Sequence, residues 1–406
     1  MPCLYLVIYQ STTPLFYVYT GRNKHSMKVL NIVGARPNFM KVAPLHRAFL
    51  QHPGVTSKVI HTGQHYDERM STIFFDQLEL PKPDYYLGVG SGSHAVITAK
   101  IMMEFEKIVE AEKPDLVLVV GDVNSTLACA LVTKKLNIKL AHVEAGLRSG
   151  DREMPEELNR IMTDCISDYL FVTEQSGMIN LAKENVPDEK VFFVGNVMID
   201  SLCSYQEKAG KLSLLEKLNL APQGYVLMTM HRPANVDQAD KMRTVVEMIE
   251  GVCKKMPIVL PLHPRTAKQL EKFSLEERFR NIPNLTILEP QGYLEFLNLM
   301  INAALIITDS GGVQEESTFL QIPCLTVRDS TERPVTITLG TNILIPELNA
   351  ALIISEFEKA LGRGKLEARI PPLWDGSAAP RIVKHLMDTF ESATSESTQM
   401  KMTTNA

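Results

Sequence analysis

The sequence predicts an α/β protein of two doubly wound domains facing one another across a cleft. Three observations carry this. Short β-branched runs alternate with helix-length stretches, each run ends in a polar or glycine-bearing turn, and the pattern starts afresh near the middle of the chain. Strands that are apolar almost throughout belong to parallel sheets, because helices on both faces bury both sides of every strand. A length of 406 residues suits two domains of ordinary size.

The first set of strands is VLNIVGARP (29–37), KVIHTG (58–63), DLVLVVGD (115–122), KLAHVEAG (139–146), YLFVTE (169–174) and VFFVGN (191–196). Helices are expected over stretches such as Thr98–Glu112 and Asn124–Leu136, giving a first domain over 27–200. Residues 201–223 are more polar, helical in character and end in Ala-Pro-Gln-Gly, which reads as a link. The second set is YVLMTMHRP (225–233), IVLPLHP (258–264), LTILEP (285–290), AALIITDSGG (303–312), PCLTVR (323–328) and NILI (342–345), giving a second domain over 224–391. Residues 392–406, rich in Ser, Thr and Met, read as a disordered tail. Within residues 1–26, LYLVIY and PLFYVY are too short to span a bilayer and lack a basic leader. Met27 opens the first strand directly, so 1–26 reads as an extension outside the fold.

Composition removes several function classes. A net charge of −5 provides no overall basic field for nucleic acid. The six cysteines (Cys3, Cys129, Cys165, Cys203, Cys253, Cys324) are far apart with no C-x-x-C, as expected of reduced thiols in the cytoplasm. His61 and His65 lack an evident third ligand, so no metal site is expected.

Ligands of open α/β sheets bind beyond the carboxyl ends of the strands, and the polar residues of interest lie there. Ser310-Gly311-Gly312 sits where a strand becomes a helix, whose first N–H groups and dipole suit a phosphate. A plain turn capped by Ser310 is the other reading. Glu315 and Glu316 follow one turn later and suit either the helix dipole or the vicinal hydroxyls of a ribose. GARPNFMK (34–41) is a second glycine turn, without the G-x-G-x-x-G of dinucleotide sites, and carries Arg36 and Lys41. Arg333 in DSTERP and His231 and His263 after buried strands are further candidates to meet an anion. Asp122 is either a helix N-cap or a site carboxylate. Glu144 follows an apolar strand, where an unpaired carboxylate is costly. Glu156 and Glu157 start a helix in MPEELNR. Carboxylates converging in a cleft suit acid–base work; salt bridges to Arg148, Arg152 and Arg160 are the alternative.

Taken together, GARPNFMK, TGQHYD, DLVLVVGD, HVEAGLRSGD, MPEELNR, HRPANVD, EPQGYLEF, LIITDSGGVQEE and RDSTERP resemble the non-hydrolysing UDP-N-acetylglucosamine 2-epimerases over roughly residues 27–385. The resemblance implies the glycosyltransferase-B architecture, two Rossmann-like domains around a cleft. It also implies a final helix packing back on the first domain, and a homodimer. It places Arg36, Lys41, His231, Gln291, Phe296, Ser310, Gly311, Gly312, Glu316 and Arg333 at UDP, with Glu316 on the ribose and Phe296 by the uracil, and His263 is added to them from its own place after a buried strand. It gives catalysis to Asp122, Glu144, Glu156 and His231. The implied reaction eliminates UDP across C1–C2, giving 2-acetamidoglucal, and adds it back with a proton on the other face of C2. No metal or redox cofactor is called for, and the product serves surface polysaccharides. The chain departs from the family at Ile97, at Arg232-Pro233-Ala234 and at Lys100; Gln64 keeps part of a second, regulatory substrate site. A hydrolysing relative, an epimerase of a related UDP-2-acetamido sugar, a glycosyltransferase and a non-catalytic sugar-nucleotide binder are the competing readings.

Overall fold

The computed structural model describes residues 26–63, 82–362 and 368–403. Residues 1–25, Gln64 and His65 lie outside the described residues. The first sheet contains β1 (Met27–Val33), β2 (Val55–His61), β3 (Tyr85–Tyr86), β4 (Leu116–Val120), β5 (Lys139–Ala145), β6 (Tyr169–Val172) and β7 (Val191–Phe193). Its order is β3-β2-β1-β4-β5-β6-β7, with every pairing parallel. The second contains β8 (Val226–Thr229), β9 (Ile258–Pro261), β10 (Leu285–Leu288), β11 (Leu305–Thr308), β12 (Cys324–Val327) and β13 (Asn342–Ile345). Its order is β10-β9-β8-β11-β12-β13, again all parallel.

Both sheets are wound outward in two directions from their first strand, the Rossmann-like arrangement. The chain reverses its direction of travel between β1 and β4, and between β8 and β11. A crevice opens at each of those points. Burial explains the strand sequences: all five residues of β4, LVLVV, are buried. Among the described residues the short β3 is the strand the apolar runs did not predict, being only Tyr85–Tyr86 at the sheet edge.

Among the described residues the helices of nine residues or more are α1 (Arg36–Leu50), α2 (His94–Glu112), α3 (Asn124–Lys135), α4 (Pro155–Ile166), α5 (Gln175–Lys183), α6 (Val197–Gly210), α7 (Ala239–Cys253), α8 (Pro264–Lys272), α9 (Tyr293–Ile301), α10 (Gly311–Leu320), α11 (Ala350–Gly362) and α12 (Ala378–Thr403). α1, α4 and α8 each begin with a proline in the first turn, where the missing N–H costs nothing.

One apolar core runs through both halves. Val197, Met198, Leu202 and Tyr205 of α6 pack in a single cluster with β1 and α1, with Tyr293, Leu294 and Leu297 of α9, and with Ile382, Val383 and Leu386 of α12. The link region therefore holds most of a helix shared by the two sheets. The carboxylate of Asp200 on α6 accepts the Ala378 and Ala379 N–H groups at 3.0 and 2.6 Å, anchoring the first turn of α12. α12 continues to Thr403, so residues 392–403, expected as a disordered tail, are helical. Their Ser and Thr content is compatible with a helix extending an anchored one, since a formed first turn removes the nucleation cost.

Candidate active site

On the first sheet, the turn after β1 leads into α1. Asn38 folds back there, its Oδ1 accepting the Gly34 and Ala35 N–H groups at 3.2 and 2.8 Å. This fixes the entry to α1, with Arg36 as its first residue. One turn on, Lys41 is buried and ion-paired with Glu144. Glu144 lies in β5 where the register with β6 shifts, and its φ is +72°. A bulge re-aims a side chain, and here it turns a carboxylate to Lys41 that regular pleating would place elsewhere. The other oxygen, Oε1, is buried with no hydrogen-bond partner among the described residues.

The turn after β4 carries Asp122. It is not an N-cap: Val123 holds that position of α3 and makes no side-chain cap. Instead Asp122 accepts from Arg160 Nε and Nη2 at 3.0 and 2.6 Å. Arg160 also reaches Glu157 at 2.6 Å. Glu157 is buried and occupied with the Ser149 and Gly150 N–H groups at 2.8 and 3.0 Å, so it is structural. Its neighbour Glu156 is half-buried. The site carboxylates are thus not a mutually repelling group: Glu144 and Asp122 each have a cation.

On the second sheet, His231 follows β8 and His263 follows β9, their rings stacked with centroids 4.9 Å apart. Asp309 orients His231. Its carboxylate lies 3.0 Å from His231 Nδ1 and accepts the backbone N–H groups of His231 and Arg232 at 2.9 and 2.8 Å. Burial opposes ionisation of Asp309, but His231 and those amides outweigh it and hold its carboxyl below the usual range. His263 Nδ1 caps α8 by accepting the Arg265 N–H at 3.1 Å. Gln291 sits in the turn after β10, donating to the Glu289 carbonyl at 2.7 Å. Phe296, on α9, is partly buried against the cluster that holds Tyr225, Leu227 and Leu299.

Ser310 opens α10 but gives no side-chain cap. That removes the plain capped turn: the first N–H groups of α10 have no side-chain oxygen from the N-cap residue. Gly311 has a steric reason, because a Cβ there would lie 2.9 Å from Arg333 Nη1. Arg333 is not a free cation of a loop. It is buried and pairs with Glu315 at 2.8 Å and with Glu332. Burial works against the Glu332 carboxylate, yet Arg333, Arg328 and Arg160 more than compensate and depress its pKa.

Polar contacts join the two halves at several points among the described residues. Asn196, before α6, donates to Glu315 Oε1 at 2.9 Å. Arg160 lies 3.9 Å from Glu332. Trp374 donates its indole N–H to the Thr173 carbonyl at 3.0 Å, below Glu174. Glu174 is buried and its carboxyl is pushed up to about 7, by burial and then by Glu315. Glu316 is buried, with the Tyr293 hydroxyl 3.1 Å from its Oε1. Burial, with a smaller push from Glu315, raises it to about 8 against the pull of Tyr293.

The structure therefore brings Lys41, Asp122 and Glu144 to the first carboxyl edge, and His231, His263, Gln291, Ser310, Gly311, Gly312 and Arg333 to the second. The sequence reading missed Asp309, Asn196, Glu332 and Tyr293. Only Asp309, directly before Ser310, carried a usable signal. Among the described residues no group of His, Cys, Asp and Glu could hold a metal ion.

Facing Rossmann-like sheets, an uncapped glycine helix end and cation-held carboxylates define an acid–base enzyme for an anionic substrate. Over residues 47–387 the chain matches the family described as UDP-N-acetylglucosamine 2-epimerase, and it belongs to that family. It is similar to a UDP-N-acetylglucosamine 2-epimerase of Methanocaldococcus jannaschii, 43% identical over 365 residues, covering 89% of this chain and 99% of the relative. It is also similar to a UDP-2,3-diacetamido-2,3-dideoxy-D-glucuronate 2-epimerase of Pseudomonas aeruginosa, 39% identical over 89% of this chain and 99% of the relative. A crystal structure of the Methanocaldococcus jannaschii UDP-GlcNAc 2-epimerase with UDP-GlcNAc and UDP superposes with a TM-score of 0.82, covering 89% of this chain and 99% of that one.

Proposed function

We propose that the acidic groups of the first sheet handle the C2 proton while the second sheet holds UDP. The chain is a UDP-N-acetylglucosamine 2-epimerase, an isomerase interconverting UDP-GlcNAc and UDP-ManNAc. The C2 hydrogen of an N-acetylhexosamine is not acidic, so the reaction proceeds by elimination of UDP to 2-acetamidoglucal and re-addition. That requires a base and an acid on opposite faces of C2, and donors for the departing diphosphate. The observation that carries the assignment is Glu144, a buried carboxylate on a left-handed backbone with one oxygen on Lys41 and the other unpartnered among the described residues. Asp122 and Glu156 are its acid–base partners. His231, oriented by Asp309, the N-terminus of α10 and Arg36 serve the diphosphate; His263, Gln291 and Phe296 frame the rest of the nucleotide, and Glu316 takes the ribose hydroxyls. The product supplies ManNAc units to surface polysaccharides.

Proton NMR with UDP-GlcNAc in D₂O tests this. UDP-ManNAc with deuterium at C2 and no lasting free UDP is the expected result. Stoichiometric free ManNAc and UDP would instead make the enzyme hydrolysing. Inertness toward UDP-GlcNAc alongside turnover of a UDP-diacetamido uronate would move the substrate towards that of the Pseudomonas relative.

A second expectation concerns protons. A carboxylate receives two ribose hydroxyls; a carboxyl that is already protonated does so poorly. With its pKa raised to about 8, Glu316 holds a proton in the unliganded protein at pH 7. UDP binding then expels it. Affinity rises with pH and levels off above the raised value, by roughly fivefold between pH 7 and 8. Calorimetry in two buffers of different ionisation enthalpy should count close to one proton released near pH 7. Glu316→Gln should release none.

We further infer a homodimer in the cytoplasm. Val96 and Met103 on α2 and Leu158 and Met162 on α4 are exposed, and both helices pack against α3. That places an apolar face on the first domain for a second copy to cover. The described cysteines are all free thiols, and no helix among the described residues is long and apolar enough to cross a membrane.

A further inference from the structure

A glutamate at φ +72° does not stay there unaided, since left-handed backbone at a non-glycine residue costs roughly 1–3 kcal/mol unless its surroundings impose it. What imposes it is a buried carboxylate from the last turn of α4. Asp164 Oδ1 lies 2.6 Å from His142 Nδ1, two residues before Glu144. Asp164 Oδ2 accepts the Gly146 N–H at 3.0 Å, two residues after it, and lies 2.7 Å from Arg148 Nη2. Both sides of the bulge are thus tied to one side chain.

The tie extends to the second carboxylate of the site. His142 Nε2 donates to the Gly121 carbonyl at 2.9 Å. Gly121 precedes Asp122, and its own N–H donates to the Val143 carbonyl at 3.1 Å. A Cβ at Gly121 would stand 3.3 Å from Lys41 Nζ and 3.4 Å from Glu144 Oε2, so this backbone passes directly beside the ion pair. Gly146 is also fixed from behind, as a Cβ there would lie 2.5 Å from the Gly177 carbonyl. His142 and Asp164 are buried, and neither belongs to the substrate groups assigned above. The same helix, α4, carries Arg160 to Asp122, so one element sets both acidic groups.

We propose that Asp164 is a positioning residue for the epimerisation: by clamping His142 and Gly146 it holds Glu144 in the left-handed conformation that presents its carboxylate to Lys41. The proposal rests on the role given to Glu144. Asp164→Asn keeps the size of the side chain but replaces one of two acceptor oxygens with a donor. Epimerisation should slow by about ten- to a hundredfold in kcat, as a small misplacement of a reacting group does, while the Kd for UDP stays within about twofold. A purely structural role would lower melting temperature and UDP affinity together, with no such split. If Asp164→Asn does not fold, His142→Gln removes one arm of the clamp and should give the same split. The clamp is overturned by kcat within twofold of wild type in the folded variant, or by equal losses of kcat and UDP affinity. Glu144→Gln measured alongside separates the two layers. An active Glu144→Gln overturns the role of Glu144 itself, whereas an inactive one beside a fully active Asp164→Asn overturns only the clamp.

Discussion

Glu144→Gln should lose turnover by about 10²–10⁴-fold in kcat, the span over which a positioned proton-transfer group acts, while UDP still binds. Glutamine occupies the same volume and can still accept a hydrogen bond from Lys41, so the ion pair becomes a neutral contact rather than a hole. What it cannot do is take a proton from C2. In the proposed binding mode most UDP contacts lie on the other sheet, around Asp309 and the start of α10, so the change should leave UDP affinity largely intact. Deuterium incorporation at C2 should fall by the same factor as product formation, because both pass through one proton transfer. Unimpaired turnover in D₂O would remove Glu144 from the chemistry. Exchange at C2 that persists without product would show that it serves re-addition instead.

Arg333→Met should be the most destabilising single change in the site. The guanidinium is buried between Glu315 and Glu332, and removing one member of a buried ion cluster typically costs about 3–5 kcal/mol because the others stay behind uncompensated. The two carboxylates are not equivalent. Glu332 keeps Arg328 at 2.9 Å, whereas the hydrogen bond Glu315 keeps among the described residues is from the neutral Asn196 amide at 2.9 Å. Burial already raises the Glu315 pKa with Arg333 in place. Without it the folded-state value rises further above the unfolded one, so stability present at low pH is lost as pH rises through that higher value. The deficit should therefore grow as pH rises from the acid to the alkaline side of neutrality. Urea unfolding of both proteins across that range measures it. A deficit that does not vary with pH would mean that lost packing, not an uncompensated charge, is the cause.

Much of the architecture was legible because parallel strands buried on both faces must be apolar throughout, and twelve such runs stood out. The edge strand at Tyr85–Tyr86 was not, having only two residues and one neighbour. The positions of the site residues were legible as strand ends, since glycine turns and polar residues directly after apolar runs mark carboxyl edges. Their partnerships were not. Lys41 and Arg333 read as cations for phosphate, yet each is paired with a glutamate, from elements 103 and 18 positions away along the chain. Asp122 read equally well as a cap, and only the fold decides that Arg160 meets it. Long-range pairing between charged residues leaves no period in a sequence, so it appears only when the sheets are assembled.

The anchoring of α12 by Asp200 orders events during synthesis. The core that β1 and α1 begin is closed by Ile382, Val383 and Leu386, and the first turn that carries them is held by a residue 178 positions earlier. A nascent chain long enough to complete all seven strands of the first sheet still lacks α12, one of the two helices that pack on α1. Until Ile382, Val383 and Leu386 emerge from the ribosome, the part of the α1 flank under α12 stays uncovered, and the first domain reaches its finished state only after the second has been made.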